Sequence, residues 1–92
     1  MDLTGFLTAR LNEDDAEALK LHDRLDGNVP LQHAFAARVL REVEAKRKIL
    51  AAYRDADGQG GGMHWLGLRL AASHLAAVYD LHPDYDPAWK ET

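Results

Sequence analysis

The chain has 92 residues, with 15 acidic and 11 basic side chains and a formal net charge of −4. A chain of this length has room for one modest core, so we expect a single domain over residues 1–92. It has no cysteine, which excludes disulfides, thiolate metal sites and cysteine nucleophiles. Residues 1–7 lack the basic start and apolar run of a signal peptide, so we expect a cytoplasmic protein.

The first predicted helix covers residues 3–25 and begins after Asp2, a residue type that caps helix N-termini. Its apolar residues, mostly leucine, recur every three or four positions and form one stripe, and Asp14 lies within that stripe. Residues 26–30, Asp-Gly-Asn-Val-Pro, predict a short turn. Pro30 suits the first turn of a following helix, where its missing N–H has no helical partner to lose.

The second predicted helix covers residues 31–54, which contain no glycine or proline. Its apolar stripe is formed by Ala36, Val39, Val43, Leu50 and Tyr53. Lys46 occupies a position on this stripe, as Asp14 does on the first one. Because a short turn makes the two helices antiparallel neighbours, we predict that Asp14 and Lys46 form a structural ion pair that fixes their register.

Residues 55–62, Asp-Ala-Asp-Gly-Gln-Gly-Gly-Gly, interrupt the helical pattern. They begin like a calcium-binding loop, with oxygen-bearing side chains at Asp55, Asp57 and Gln59. The glutamate that such a loop needs at its twelfth position is replaced by Leu66. We therefore interpret the segment as a flexible linker.

The third predicted helix covers residues 63–81 and is apolar around most of its circumference, so it must be covered on more than one side. We therefore predict a homodimer in which this helix lies at or next to a two-fold interface. The predicted interface residues are Trp65, Leu68, Ala71, Leu75 and Tyr79. Charged and imidazole side chains within the segment argue against a membrane span. The tail that follows, with Tyr85 and Trp89, is expected to pack on the bundle.

Two alternatives to an interaction protein follow from the polar residues. The first is a hydrolase-like metal-dependent enzyme or a metal-stabilised domain, with the candidate ligands His74, His82, Asp84 and Asp86. No two histidines lie four residues apart on one helical face, and the adjacent Ser73 and His74 do not share a face, so no catalytic pair is indicated. No cofactor is expected.

The second alternative is a nucleic-acid binder that uses basic residues of the second predicted helix, namely Arg38, Arg41, Arg47, Lys48 and Arg54. Residues 31–54 carry six basic and two acidic side chains. Both flanking segments are acidic, and their charge would repel phosphate.

Three sequence blocks span most of the chain: Leu3-x-x-Phe6-Leu7-x-x-Arg10-Leu11-x-Glu13-Asp14, the run 37–47 followed by Ile49-Leu50, and His82-Pro-Asp-Tyr85 with Trp89. Together they resemble a family of small uncharacterised proteins found in actinobacteria and their phages. Proteins of that family often carry a Pro-Gly-Pro-Trp insert after the first helix, where this chain has the short segment 26–30. The resemblance implies no known activity. It favours a phage or prophage source, in which small helical proteins often bind a host protein.

These patterns predict an all-α fold of three helices with a packed C-terminal tail. They favour a non-catalytic helical interaction protein that self-associates and binds an unidentified protein partner. Together with the resemblance, this predicts a phage-encoded protein that modulates a host protein.

Overall fold

A computed structural model describes residues 2–25, 30–60 and 62–90 of the chain. Three α-helices lie in these ranges, α1 at Leu3–Leu25, α2 at Pro30–Gly58 and α3 at Met63–Ala77, and a 3-10 helix follows at Pro87–Lys90. The described ranges contain no strand, so the predicted all-α fold of three helices is confirmed. The predicted turn at residues 26–29 lies outside the described residues.

The first helix begins where the sequence predicts, because Asp2 caps it. The Oδ1 atom of Asp2 accepts a hydrogen bond from the backbone N–H of Gly5 at 2.7 Å. The Asp2 carbonyl accepts from the N–H of Phe6 at 2.9 Å and so closes the first turn. The side-chain bond satisfies one of the N–H groups that lack a partner at every helix N-terminus.

The second helix continues to Gly58, four residues beyond its predicted end. Its additional turn packs against α3, since Ala56 is buried and the Oδ1 atom of Asp57 accepts a hydrogen bond from the Trp65 indole at 2.8 Å. The first half of the predicted linker is therefore helical. Gly60 and Gly62 have positive φ angles of 94° and 107°, which glycine adopts without steric cost, and the chain reverses there into α3.

The third helix ends at Ala77, four residues before its predicted end. Residues 78–81 form tighter turns instead, in which the N–H of Tyr79 bonds to the Ala76 carbonyl at 2.9 Å and the N–H of His82 to the Tyr79 carbonyl at 2.9 Å. Pro83 disfavours helical geometry at His82, the residue before it, and the tight turns of residues 78–81 lie between the end of α3 and that position.

All three helices and the tail contribute to one core. Its buried members include Leu3, Phe6, Leu7 and Leu11 of α1, Val43, Leu50 and Tyr53 of α2, Ala72 and Ala76 of α3, and Tyr85 and Trp89 of the tail. The ring of Phe6 lies 5.8 Å from that of Tyr85 and 5.0 Å from that of Trp89, measured between centroids. The prediction that the tail packs on the bundle is therefore confirmed.

α1 and α2 form an antiparallel hairpin, with Arg47 bonded to Asn12 at 2.9 Å and the rings of His22 and His33 stacked at 4.0 Å. α3 runs back along this hairpin but has 15 residues, against 23 in α1 and 29 in α2. It covers the half of the hairpin that contains Phe6 and Tyr53, and no third described helix covers the half that contains Ala18 and Phe35. In the described ranges, no helix is both long enough and apolar enough to cross a membrane.

Candidate functional site

A cluster of polar side chains lies where the tail meets α1. At its centre is Arg10, which is only 6% exposed. Its Nη2 atom donates to Glu13 Oε1 at 2.9 Å, its Nη1 atom contacts the imidazole of His82, and its guanidinium carbon lies 5.2 Å from the centre of the Phe6 ring. A buried guanidinium needs partners of this kind to offset its lost hydration. The cluster therefore holds the tail against α1.

A hydrogen bond between Asp14 and Tyr79 joins α1 to the turn that follows α3, beside this cluster. The Tyr79 hydroxyl donates to Asp14 Oδ2 at 2.5 Å. Burial, and next the hydrogen bond to Asp14, raise the pKa of the Tyr79 phenol well above its usual range. The phenol thus stays protonated near neutral pH and acts as a donor, not as a nucleophile.

The predicted ion pair between Asp14 and Lys46 does not form. Asp14 bonds to Tyr79, and Lys46 takes part in no ion pair within the described part of the chain. The prediction was based only on the antiparallel register of α1 and α2. The turn after α3 brings a third group, Tyr79, to the carboxylate, and nothing in the sequence periodicity of α1 and α2 indicates this.

The four candidate metal ligands are not brought together. His74 is exposed on α3, whereas His82 contacts Arg10, a cation that opposes metal binding there. Asp86 Oδ1 accepts from the N–H of Ala88 at 3.0 Å and caps the 3-10 helix, while Asp84 is exposed and donates its own N–H to His82 Nδ1 at 3.0 Å. Across residues 2–25, 30–60 and 62–90, no three His, Asp or Glu side chains are placed to hold a metal ion.

The candidate nucleic-acid residues do not form one basic face. Arg38 pairs with Glu42 at 3.5 Å, and Arg47 contacts both Asn12 and Asp15 on the opposite side of the hairpin. Arg54 lies near Arg47 beside a small groove between α1 and α2. Arg41 and Lys48 are exposed, and their helical spacing places them on the outer surface of α2. The basic charge of this helix is thus distributed around its circumference.

The five residues predicted to form a dimer interface are all half-buried within the molecule itself. Trp65, Leu68, Leu75 and Tyr79 pack against the core, and Trp65 also bonds to Asp57. The large apolar side chains that α3 and the turn after it leave exposed are different ones, Met63, Leu66, Val78 and Leu81, which we call the α3 outer face. The apolar circumference of the helix could not indicate which of its sides the hairpin covers.

A second exposed apolar surface lies on the hairpin, on the side that faces α3 but beyond the point where α3 ends. It is a groove of about 340 Å³, lined by Asp14, Glu17, Ala18, Lys20, Leu21, Phe35, Ala36 and Val39. We call it the hairpin groove. Phe35 at its edge is 51% exposed and Leu31 beyond it is 86% exposed. The sequence signal for this site is Phe35, which lies 18 residues or five helical turns from Tyr53 and therefore on the same side of α2.

Comparison with known proteins adds a family to this description. A family model, described as a family of unknown function (DUF6221), matches residues 1–91. No curated protein and no solved structure matches the chain. The match covers nearly the whole length, in agreement with the resemblance to small uncharacterised proteins seen in three sequence blocks. The chain therefore belongs to DUF6221, a family of unknown function.

Proposed function

We propose that this protein is a non-catalytic helical interaction protein, which self-associates and binds a protein partner. One observation carries the proposal: in a chain of 92 residues, the described segments leave two apolar surfaces open, the hairpin groove and the α3 outer face. Exposed apolar patches of this kind are typical of binding surfaces, because they gain free energy when a partner removes them from water.

The α3 outer face supports protein binding by its exposure. Met63, at the start of α3, is 86% exposed, and Val78 and Leu81, in the turns after its end, are 68% and 95% exposed. Burying such side chains against a partner stabilises a complex by about 25 cal/mol per Å² of apolar surface removed from water, before the costs of association. We assign this face to the protein partner.

The polar residues support a non-catalytic role. Arg10, Asp14, Tyr79 and His82 are the side chains that resemble a reactive site, and each contacts another member of this set or Glu13. These contacts join the tail and α3 to α1. Groups engaged in this way hold the fold together, and Asp14, which also lines the hairpin groove, has its carboxylate bonded to Tyr79.

We place this activity in the cytoplasm, which a chain free of cysteine suits because its stability needs no oxidising compartment. The resemblance to proteins of actinobacteria and their phages supports a phage-encoded modulator that binds a host protein.

Binding of a host protein is tested by incubating the immobilised wild-type protein with an actinobacterial lysate. The matched control is the double variant Met63→Glu and Leu81→Glu. A host protein retained by the wild type but lost with the control is the expected result.

Self-association is tested by light scattering and sedimentation from low to high micromolar concentration. We expect a mass that rises from that of the 10.3 kDa chain to that of a dimer. A monomer throughout that range would contradict the self-association in the proposal.

In the capture experiment, equal retention of the host protein by the wild type and by the Met63→Glu, Leu81→Glu variant would contradict partner binding through the α3 outer face.

A further inference from the structure

We propose that His22 and His33 form a binding site for a divalent transition-metal ion of the zinc class, which joins α1 to α2. The two rings contact each other in the half of the hairpin that α3 leaves uncovered. The site is separate from the polar cluster around Arg10, and it does not depend on the proposed protein binding. The ion has a structural role, because it links two helices.

The two imidazoles come from different helices and face each other. His22 lies in the last turn of α1, and His33 lies in the first turn of α2. Their ring centres are 4.0 Å apart, and the ring planes are inclined by 37°. Neutral imidazole is the commonest metal ligand among protein side chains. Because each ring is carried by a helix, two such ligands are already close together before an ion binds.

The distance between the rings suits coordination by one ion. A tetrahedral zinc ion lies about 2.1 Å from each ligand nitrogen, which sets the centres of two bound imidazoles about 5 Å apart. The observed separation of 4.0 Å is within about 1 Å of that value. The second side-chain torsion of histidine is broad, so both rings can turn one nitrogen toward a common ion at little cost. The adjustment therefore concerns the side chains and not the helices.

Asp23 favours the form of His22 that binds a metal. Its Oδ1 atom lies 3.5 Å from Nδ1 of His22, and a carboxylate at this position favours a proton on that nitrogen. In the neutral ring the lone pair is then on Nε2, which can bind an ion. Carboxylates beside the second nitrogen of a metal-bound histidine fix the tautomer and raise the basicity of the ligand. Asp23 is therefore a positioning residue for this site.

The ligands select the class of ion. The protein supplies two imidazoles, because no three His, Asp or Glu side chains in residues 2–25, 30–60 and 62–90 are placed to hold one ion. Water completes the coordination, since 33% of the His22 side chain is exposed. Imidazole suits Zn²⁺, Cu²⁺ and Ni²⁺, whereas Ca²⁺ and Mg²⁺ prefer oxygen ligands. With two protein ligands, the ion should bind more weakly than at a closed structural site.

A bound ion would stabilise the part of the hairpin that lacks a third layer. The buried residues there include Ala18 and Ala36, whose small side chains remove little apolar surface from water. An ion that needs both imidazoles binds the folded hairpin and not the unfolded chain, so it shifts the equilibrium toward the folded state. We therefore expect Zn²⁺ to raise the urea concentration at which the protein unfolds.

Zinc titration of the full chain, in a buffer that does not chelate metals, tests the site. The ring-proton NMR signals of His22 and His33 should change together, and the urea midpoint should rise in Zn²⁺ but not in Mg²⁺. His22→Asn and His33→Asn should each weaken zinc binding by more than about tenfold and remove the rise in the midpoint. The matched control is His64→Asn together with His74→Asn, because both of these histidines are exposed on α3. This control should bind zinc as the wild type does.

The NMR signals of the wild type test the site without any variant. If those of His22 and His33 stay unchanged at sub-millimolar zinc, the site does not exist. Zinc binding that persists in His22→Asn but is lost in the control would assign the ion to the exposed histidines and overturn the proposal. An equal rise of the urea midpoint in Mg²⁺ would overturn the assignment to the zinc class. Circular dichroism without metal shows whether each variant is folded. None of these results changes the proposed protein binding, which capture and sedimentation test separately.

Discussion

The two halves of the α1–α2 hairpin differ in what covers them. The half that contains Phe6, Leu50 and Tyr53 is covered by α3 and the tail, and its large side chains are buried. The half that contains Ala18, Ala36 and Phe35 has no third layer among the described residues, and its inner positions are small or partly exposed. Stability therefore resides mainly in the first half, while the second half presents surface to a partner. The two halves should respond differently to the same kind of substitution.

The largest difference should appear on replacing an aromatic ring in each half by alanine. Phe6 is fully buried and its ring packs against those of Tyr79, Tyr85 and Trp89. Phe6→Ala should lower the free energy of unfolding by about 3–5 kcal/mol, a large share of the ~5–15 kcal/mol of an ordinary domain. Phe35→Ala, the matched control, should cost less than about 1 kcal/mol at a concentration where the protein is monomeric. Urea unfolding followed by circular dichroism measures both, and equal losses would show that the halves do not differ in this way.

A second prediction concerns the hydroxyl groups that hold the covered half together. Tyr79→Phe removes the donor to Asp14 and leaves a half-buried carboxylate without it, so it should cost about 1–3 kcal/mol. Tyr85→Phe is the control, because the buried Tyr85 hydroxyl has no hydrogen-bond partner among the described residues. Removing that group should be neutral or slightly stabilising. A loss for Tyr85→Phe as large as that for Tyr79→Phe would mean that the bond to Asp14 does not matter.

The helices of the covered half could be predicted from the sequence, but the polar contacts between them could not. Asp2 and the leucine spacing of α1 indicate that helix and its start, because local capping and periodicity determine them. Tyr79 could not be matched with Asp14, since their contact depends on where the chain turns after α3. The hairpin groove was missed for a related reason, because its existence depends on the length of α3 relative to α1 and α2. Such properties arise from tertiary packing, which single-helix periodicity does not encode.

The bond between Tyr79 and Asp14 should also make stability depend on alkaline pH. Tyrosine in an unfolded chain has a pKa of 10.0, and burial together with Asp14 raises the pKa of Tyr79 in the folded protein above this value. Above about pH 10 the unfolded state releases the proton while the folded state keeps it, so ionisation favours unfolding. The contribution of Tyr79 is thus complete below pH 10 and is lost as the pH rises beyond it. Urea midpoints between neutral pH and pH 11 should fall more steeply for the wild type than for Tyr79→Phe, and parallel curves would refute the assignment.

The smallest effect is expected at Lys46, next to the boundary between the two halves. Lys46 is half-buried and forms no ion pair in the described part of the chain, so Lys46→Ala should cost less than about 0.5 kcal/mol. Asp14→Ala should cost more, because it removes the acceptor of the Tyr79 hydroxyl. In a double-mutant cycle, Asp14→Ala and Lys46→Ala should add within about 0.5 kcal/mol, as independent sites do. The cycle of Asp14→Ala with Tyr79→Phe should show coupling instead, since those two side chains share one bond. Strong coupling to Lys46 would mean that the lysine reaches Asp14 in solution and that the ion pair expected from the helix register exists after all.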